Sequence, residues 1–432
     1  MKHQTILKNW LRIIFHPVAR NAAYLYSIQF ANIILPLILV PYLARILKPD
    51  GLGLYLFFYA LSIWLYTAIE YGFTLFATRE VSRERSDRNQ LERTIAAVFG
   101  AQTLLAIFII GLAIIVYLIV PQFQIHSEYF ILSLIFGIAR GFGPLWYFQG
   151  QERMQSIAIT EVGGRTIATL MTFFFVRAQN HGWIALALAA LASIVVTLIQ
   201  VSLMRQEINL RWPNIGDAVG FLKKGFTVFI YRFAASLYTT ANIIILGFLS
   251  LPAIVSAYGG AEKITRGVLT LISPIIYAFY PRINVLRERD PERAWRITRL
   301  MFISFAIGGM LIMGILIFFA RTWIHIFLGP GYSSAVPLLR ILALEALFVP
   351  VSTVAGILCM FPMNMEKSLN LITISTGLLN IGLAIFLINI WGGRGMAITA
   401  VFSEGLLAFS ILIVLKFRSS LAFSSLIRTH AR

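Results

Sequence analysis

The sequence predicts an all-α membrane protein: twelve transmembrane helices in two parallel-repeat halves of six. Three observations carry that expectation. Of 432 residues, 59% are hydrophobic and 12% charged, and the mean hydropathy is +0.81. A soluble domain is about 45–50% apolar and about 25% charged. Apolar runs of the ~20 residues needed to cross a bilayer recur along the whole chain. The second six of these runs also repeat features of the first six. What lies between the runs is too short for an extramembrane catalytic domain of ordinary size, so a water-soluble enzyme is excluded.

The runs fall at 21–44, 51–76, 95–119, 129–148, 154–176 and 183–204, then at 226–249, 252–280, 300–320, 334–360, 368–390 and 395–415. Physical breaks separate them, such as Lys48-Pro49-Asp50-Gly51 and the Arg-rich run 79–93. Charges interrupt any apolar stretch in residues 1–20, so a signal peptide is not expected there. Lys8, Arg12, His16 and Arg20 instead recur every fourth position, with Trp10, Leu11, Ile14 and Phe15 between them. That pattern predicts an interfacial amphipathic segment over 1–20. The expected organisation continues with an N-terminal bundle at 21–204 and a cytoplasmic connection at 205–225. A C-terminal bundle at 226–415 and a cytoplasmic tail at 416–432 complete it. The one cysteine, Cys359, sits in an apolar run and has no partner for an internal disulfide.

A formal charge of +18 invites a nucleic-acid reading, but its distribution answers otherwise. With the N-terminus in the cytoplasm, twenty-five Lys and Arg residues fall on the cytoplasmic side and five on the other. This is the positive-inside pattern, and it predicts both termini in the cytoplasm. The basic charge is a topology signal, and no nucleic-acid partner is expected.

The halves also align with each other. At an offset of 203, Pro49 meets Pro252, Tyr55 meets Tyr258, Arg79 meets Arg282 and Arg93 meets Arg296. Later, Glu152 meets Glu366 and Gly182 meets Gly395, after an insertion of about ten residues expected within 321–335. Each half has an even number of spans, so the repeat is parallel. Transporters place substrate at such a repeat interface.

Eleven ionisable residues fall within the runs: Glu70, Arg140, Glu161, Arg165, Arg232, Glu262, Lys263, Arg266, Arg340, Glu345 and Glu404. Each costs about 2.5–3.5 kcal/mol at the bilayer centre on insertion scales, so they must face protein or a watery cavity. Glu161 with Arg165, and Glu262 with Arg266, are spaced for helical ion pairs. Arg140, Arg232, Lys263 and Arg340 have no acid one turn away and need an anion from another helix or from a substrate. Prolines 36, 41, 144, 274, 337 and 350 interrupt runs, where freed carbonyls need protein or water. Gly137 and Gly141 permit a close helix contact beside Arg140. No GxxxxGK[ST] motif supports ATP hydrolysis. The six histidines show no metal-ligand spacing, so neither a metal nor a cofactor is expected.

Several stretches carry a resemblance. They are Pro36-Leu-Ile-Leu-Val-Pro41-Tyr-Leu-Ala-Arg45 with Leu47-Lys-Pro49-Asp-Gly51-Leu-Gly53-Leu-Tyr55, and Glu70-Tyr-Gly72-Phe before Ala77-Thr-Arg79-Glu80. Pro144-Leu-Trp146-Tyr-Phe-Gln149-Gly150-Gln-Glu152-Arg-Met154 follows, then Tyr258 with Ala261-Glu262-Lys263-Ile264, Pro274 and Tyr280-Pro281-Arg282-Ile283. In order and spacing, these resemble bacterial polysaccharide flippases. Those are the O-antigen (Wzx-type) members of the multidrug/oligosaccharidyl-lipid/polysaccharide (MOP) exporter superfamily.

The resemblance implies a fold of two six-helix bundles around a central cavity, and a non-enzymatic inner-membrane transporter with a polyprenyl-pyrophosphate-linked oligosaccharide as substrate. The substrate would move from the cytoplasmic to the periplasmic leaflet by alternating access, for surface polysaccharide biosynthesis. Expected partners are membrane lipids, the polysaccharide polymerase machinery, and H+ or Na+ as coupling ion. Arg and Lys suit a pyrophosphate, which nominates Arg140, Arg232, Lys263 and Arg266, with Arg165 and Arg340, for the head group. Glu70, Glu161, Glu262, Glu345 and Glu404 are the candidates for ion coupling. The alternative is a proton- or sodium-coupled exporter of cationic drugs, and the absence of Asp and Glu from 21–44 weighs against it. A membrane-embedded glycan polymerase or glycosyltransferase would need a sizeable external loop, and none is visible.

Overall fold

The computed structural model describes residues 17–237 and 239–429. The interfacial segment expected over 1–20 therefore lies, up to residue 16, outside the described residues. Every regular element among the described residues is a helix, and the chain is an all-α membrane protein. Large apolar side chains such as Phe108, Leu118, Leu311 and Phe318 point outward, with 64–84% of their surface exposed. A soluble protein hides contiguous surface of that kind, and a bilayer covers it.

Each expected span is helical, but many are broken. Helix α1 (Pro17–Glu70) turns at Lys48, where φ is 60° and ψ is 178°. A residue preceding proline is pushed out of helical geometry, so Pro49 divides α1 into two spans. The helix stops at Glu70 because Tyr71 and Gly72 take φ of 52° and 87°, and α2 (Phe73–Arg83) starts beyond them. Helix α3 (Arg88–Ile119) is capped by Asp87, which accepts from the Gln90 amide at 3.1 Å. A short α4 (Pro121–Ile125) leads into α5 (Ser127–Gly141). Pro144 then separates α5 from α6 (Leu145–Gly150). Two long helices, α7 (Met154–Phe175) and α8 (Gly182–Arg205), follow before α9 (Ile215–Leu237).

Next come α10 (Ala241–Leu249) and α11 (Pro252–Thr270), and α12 (Ser273–Arg289) follows a turn at 271–272. Helix α13 (Pro291–Phe318) is capped by Asp290, which accepts from the Arg293 amide at 3.0 Å. The caps Asp87 and Asp290 stand at the same offset of 203 that relates the halves in sequence. After α14 (Ala320–Phe327) come α15 (Ala335–Leu342) and α16 (Glu345–Val354). A π-helical turn (Ala355–Met360) and a 3-10 turn (Phe361–Met363) end that span. The last helices are α17 (Glu366–Trp391) and α18 (Gly393–Thr429).

Among the described residues, eight helical stretches are long and apolar enough to cross a membrane, and the first, Ala23–Arg83, contains two of the expected spans. The segments at 154–176, 226–249 and 252–280 fall short. Glu161 and Arg165 make the first more polar; turns and the charges Arg232, Glu262, Lys263 and Arg266 interrupt the other two.

The chain divides into two compact units: Met1–Leu47 with Phe58–Phe233, and Lys48–Phe57 with Ala234–Arg432. In the first, Trp146, Tyr147 and Phe148 pack with Val98 and Ile157 in a buried cluster. Beside it, the Gln102 side-chain amide donates to the Gly141 carbonyl at 2.8 Å. In the second, Leu269, Ile276, Met301 and Leu358 form a core, and Asn380 donates to the Ser403 hydroxyl at 2.9 Å. Such pairing matters because an unpaired polar group inside a membrane protein costs several kcal/mol.

Candidate functional site

In the first unit, charges gather around Tyr66, one helical turn before Glu70. Helix α5 comes close to α1 because residues 137 and 141 are glycines. A Cβ at Gly137 would sit 2.7 Å from the Leu65 Cβ, and one at Gly141 would sit 2.7 Å from the Ile69 Cβ. This contact lays the Arg140 guanidinium over the Tyr66 ring, 5.0 Å from its centroid, and 5.9 Å from the Phe136 ring. Cation–π contacts of this kind hold a guanidinium without neutralising it.

Helix α7 supplies the anion. Arg165 donates to Glu161 at 3.0 Å, as the helical spacing predicts, and Arg140 lies 4.0 Å from the same oxygen. The other Glu161 oxygen accepts from the buried Gln200 of α8 at 3.3 Å. The three charged side chains keep 19–23% of their surface exposed. The Nε atoms of Arg140 and Arg165 are buried and have no hydrogen-bond partner among the described residues.

Arg232 of α9 meets Glu70 at 3.2 Å. The Glu70 carboxylate also accepts from the Gly72 amide at 3.1 Å and the Thr74 amide at 2.7 Å, so it caps α2 as well. Tyr66 lies within Coulombic reach of Glu70, Arg140, Glu161 and Arg232. Together with Arg165, this cluster holds three cations against two carboxylates. Its surplus is positive.

The second unit has the opposite balance. Arg266 of α11 donates to Glu262 at 3.0 Å, again at helical spacing. It also lies within Coulombic reach of Glu345 on α16 and Glu404 on α18. All three carboxylates are buried, with 4%, 1% and 7% of their residue surface exposed. Glu345 begins α16 directly after a turn, and its Oε1 is buried without a hydrogen-bond partner among the described residues. Tyr258, one turn before Glu262, is wholly buried and within Coulombic reach of Glu262 and Glu345. Three acids face one guanidinium.

The remaining two candidates stand differently. Lys263 is half-buried and Arg340 of α15 is exposed, and neither forms an ion pair among the described residues. Among the described residues, no group of three His, Cys, Asp or Glu is placed to hold a metal ion. Tyr66 and Gln200 are not singled out from the sequence, and Tyr258 enters there only through the internal repeat and the family resemblance. Their signal there was faint: Tyr66 and Tyr258 stand four residues before an intramembrane acid, and Gln200 interrupts an apolar run.

A model of the polysaccharide biosynthesis protein family matches residues 18–287. A relative from Escherichia coli (strain K12), named for O-antigen transport, is 29% identical over 405 residues, covering 92% of this chain and 96% of its own. An inward-facing multidrug resistance MATE transporter of the MOP superfamily superposes with a TM-score of 0.68 at 15% identity, over 88% of this chain and 95% of that one. The lipid II flippase MurJ, in an inward closed conformation, gives 0.66 at 14% identity over 91% and 87%. At these identities the likeness to the solved structures is one of fold.

Proposed function

The chain belongs to the polysaccharide biosynthesis protein family, and from that membership we propose that it flips a polyprenyl-pyrophosphate-linked oligosaccharide from the cytoplasmic to the periplasmic leaflet. Alternating access by the two halves moves the substrate, and both termini face the cytoplasm, as the positive-inside distribution favours. The observation that carries this reading is the convergence of Arg140 and Arg165 on one carboxylate, Glu161. A single carboxylate leaves one guanidinium charge uncompensated in a partly exposed setting. A pyrophosphate supplies the missing negative charge, and guanidinium groups offer paired donors to its oxygens. Arg232 adds to the positive surplus, with Lys263 and Arg340 as further contacts. Arg266 contributes less, because carboxylates outnumber it.

The surplus of acids in the second unit supports ion coupling. Three buried carboxylates against one guanidinium leave negative charge that an entering H+ or Na+ relieves. Glu345, with its unpartnered oxygen at the start of a broken helix, is the leading coupling residue, followed by Glu404 and Glu262.

The test is complementation of a strain lacking its own flippase, scored by surface polysaccharide and by lipid-linked precursor retained inside. Arg140→Ala and Arg165→Ala are expected to abolish surface polysaccharide while leaving protein abundance unchanged. Wild-type flux in both variants overturns the head-group assignment. Glu345→Gln is expected to leave residual flux that no longer responds to collapse of the ion gradients. Wild-type flux insensitive to that collapse removes coupling.

A further inference from the structure

A cavity of about 630 Å³ opens within the second unit, between the end of α12, the start of α13, the π-helical turn and the stretch 412–416 of α18. Its wall is apolar, built from Ile283, Phe302, Leu358, Cys359, Leu412 and Leu415. Arg287, Arg299 and Lys416 line the same space, and no carboxylate stands among the lining residues. Arg287 and Arg299 form no ion pair among the described residues. Trp295 lines it too and keeps 64% of its surface exposed. Tryptophan favours the membrane–water boundary. By span parity, every connection contributing to the cavity lies on one membrane side, the side that carries the Arg-rich run 282–299.

We propose that this cavity binds an anionic phospholipid of the cytoplasmic leaflet. Arg287 and Arg299 would hold the headgroup phosphate, and an acyl chain would lie along Phe302, Leu412 and Leu415. The chemistry selects this occupant over three others. A sugar-bearing substrate needs neutral hydrogen-bonding groups, and the one hydroxyl in the lining, Thr298, already donates to the Ala294 carbonyl at 2.9 Å. Free phosphate leaves the apolar wall uncovered. The chain's own terminal stretch, 418–432, carries three arginines and no acid, so the cations repel it. Basic residues on this side of a membrane gain from anionic headgroups. A resident lipid would bridge α12, α13 and α18 and make their packing depend on lipid composition.

The leaflet rests on the orientation proposed above, whereas lipid retention by purified protein reads the site whichever way the chain faces. Full-length protein in detergent is titrated with phosphatidylglycerol, phosphatidylcholine, polyprenyl phosphate or inorganic phosphate, and bound species are counted by native mass spectrometry. Phosphatidylglycerol is expected to bind tightest, and Arg287→Gln combined with Arg299→Gln to weaken it by roughly tenfold or more. Leu412→Trp, which fills the cavity without changing charge, is expected to lower retention too. Equal retention of phosphatidylcholine overturns the proposal, as does tighter binding of polyprenyl phosphate or of inorganic phosphate. So does unchanged binding in the charge variant, or binding that emerges only after deletion of 418–432. Flippase activity enters none of these readouts, so the lipid site and the transport reading fail separately.

Discussion

Glu70 and Arg232 stand 162 residues apart in the chain, and their side chains meet at 3.2 Å. The carboxylate belongs to the last residue of α1, and the turn that ends that helix turns it onto both the guanidinium and the first amides of α2. One side chain thus ties three helices together inside the membrane.

That arrangement makes Glu70 structural as well as electrostatic. Glu70→Ala removes a cap and leaves Arg232 short of its partner. A loss of about 2–3 kcal/mol is expected, discounted because Arg232 keeps 35% of its side chain exposed. Thermal unfolding of detergent-purified protein is the measurement, and Glu70→Gln, which still accepts from the amides, should lose less. An unaltered midpoint in the alanine variant would contradict the linkage.

Glu161 sets how much positive charge Arg140 and Arg165 present. In Glu161→Gln the surplus grows, so binding of a polyprenyl pyrophosphate should tighten by roughly tenfold while turnover slows. A ligand held too firmly leaves slowly, and release then limits flux. Binding isotherms paired with a transport assay separate the two effects; weaker binding in this variant counts against the head-group site.

The Gly141 contact is tight enough to test by one methyl group. A Cβ there would lie 2.5 Å from the Ile69 Cγ2, so Gly141→Ala overpacks the interface between α5 and α1. Overpacking costs about 1–3 kcal/mol, against the roughly 1 kcal/mol that alanine gains in a helix. The unfolding midpoint is expected to fall, and to fall further in Gly141→Val, whose side chain adds two more methyl groups at the same contact. Equal midpoints for wild type and Gly141→Ala would show that α5 has room to move.

Outside the spans, Asp217 is hydrogen-bonded by Arg93 at 2.9 Å through both carboxylate oxygens. That bond and the guanidinium charge hold Asp217 below its ordinary range, against a smaller opposing effect of desolvation. A carboxyl depressed in the folded state stabilises fully above its unfolded value of about 3.9 and loses that contribution as pH falls through the lower folded value. Stability curves between pH 6 and pH 2 are expected to show part of the acid loss vanish in Asp217→Asn. Superimposable curves would assign the acid loss elsewhere.

How far the sequence could be read depended on the range of each interaction. The Glu161–Arg165 and Glu262–Arg266 pairs were legible because helical spacing alone brings residues four apart together. Pro49 announced the break in α1, and Pro144 the gap after α5. The break at Tyr71 and Gly72 was hidden inside an apolar run that hydropathy reads as one span, since left-handed backbone at a tyrosine leaves no mark in composition.

The sequence alone determined that the chain lives in a membrane and is helical. Its alternation of apolar runs, basic connections and a repeat near 203 residues also implied an orientation and two related halves. Those properties follow from solvation and local hydrogen bonding, which each segment satisfies by itself. Which charges neutralise which was decided only by the packing of helices. Tertiary structure brought Arg140 to the carboxylate that Arg165 already uses, matched Arg232 with Glu70, and surrounded Arg266 with acids from α16 and α18. Coulomb energy depends on distance in space, and residues far apart in sequence acquire that distance only when helices pack.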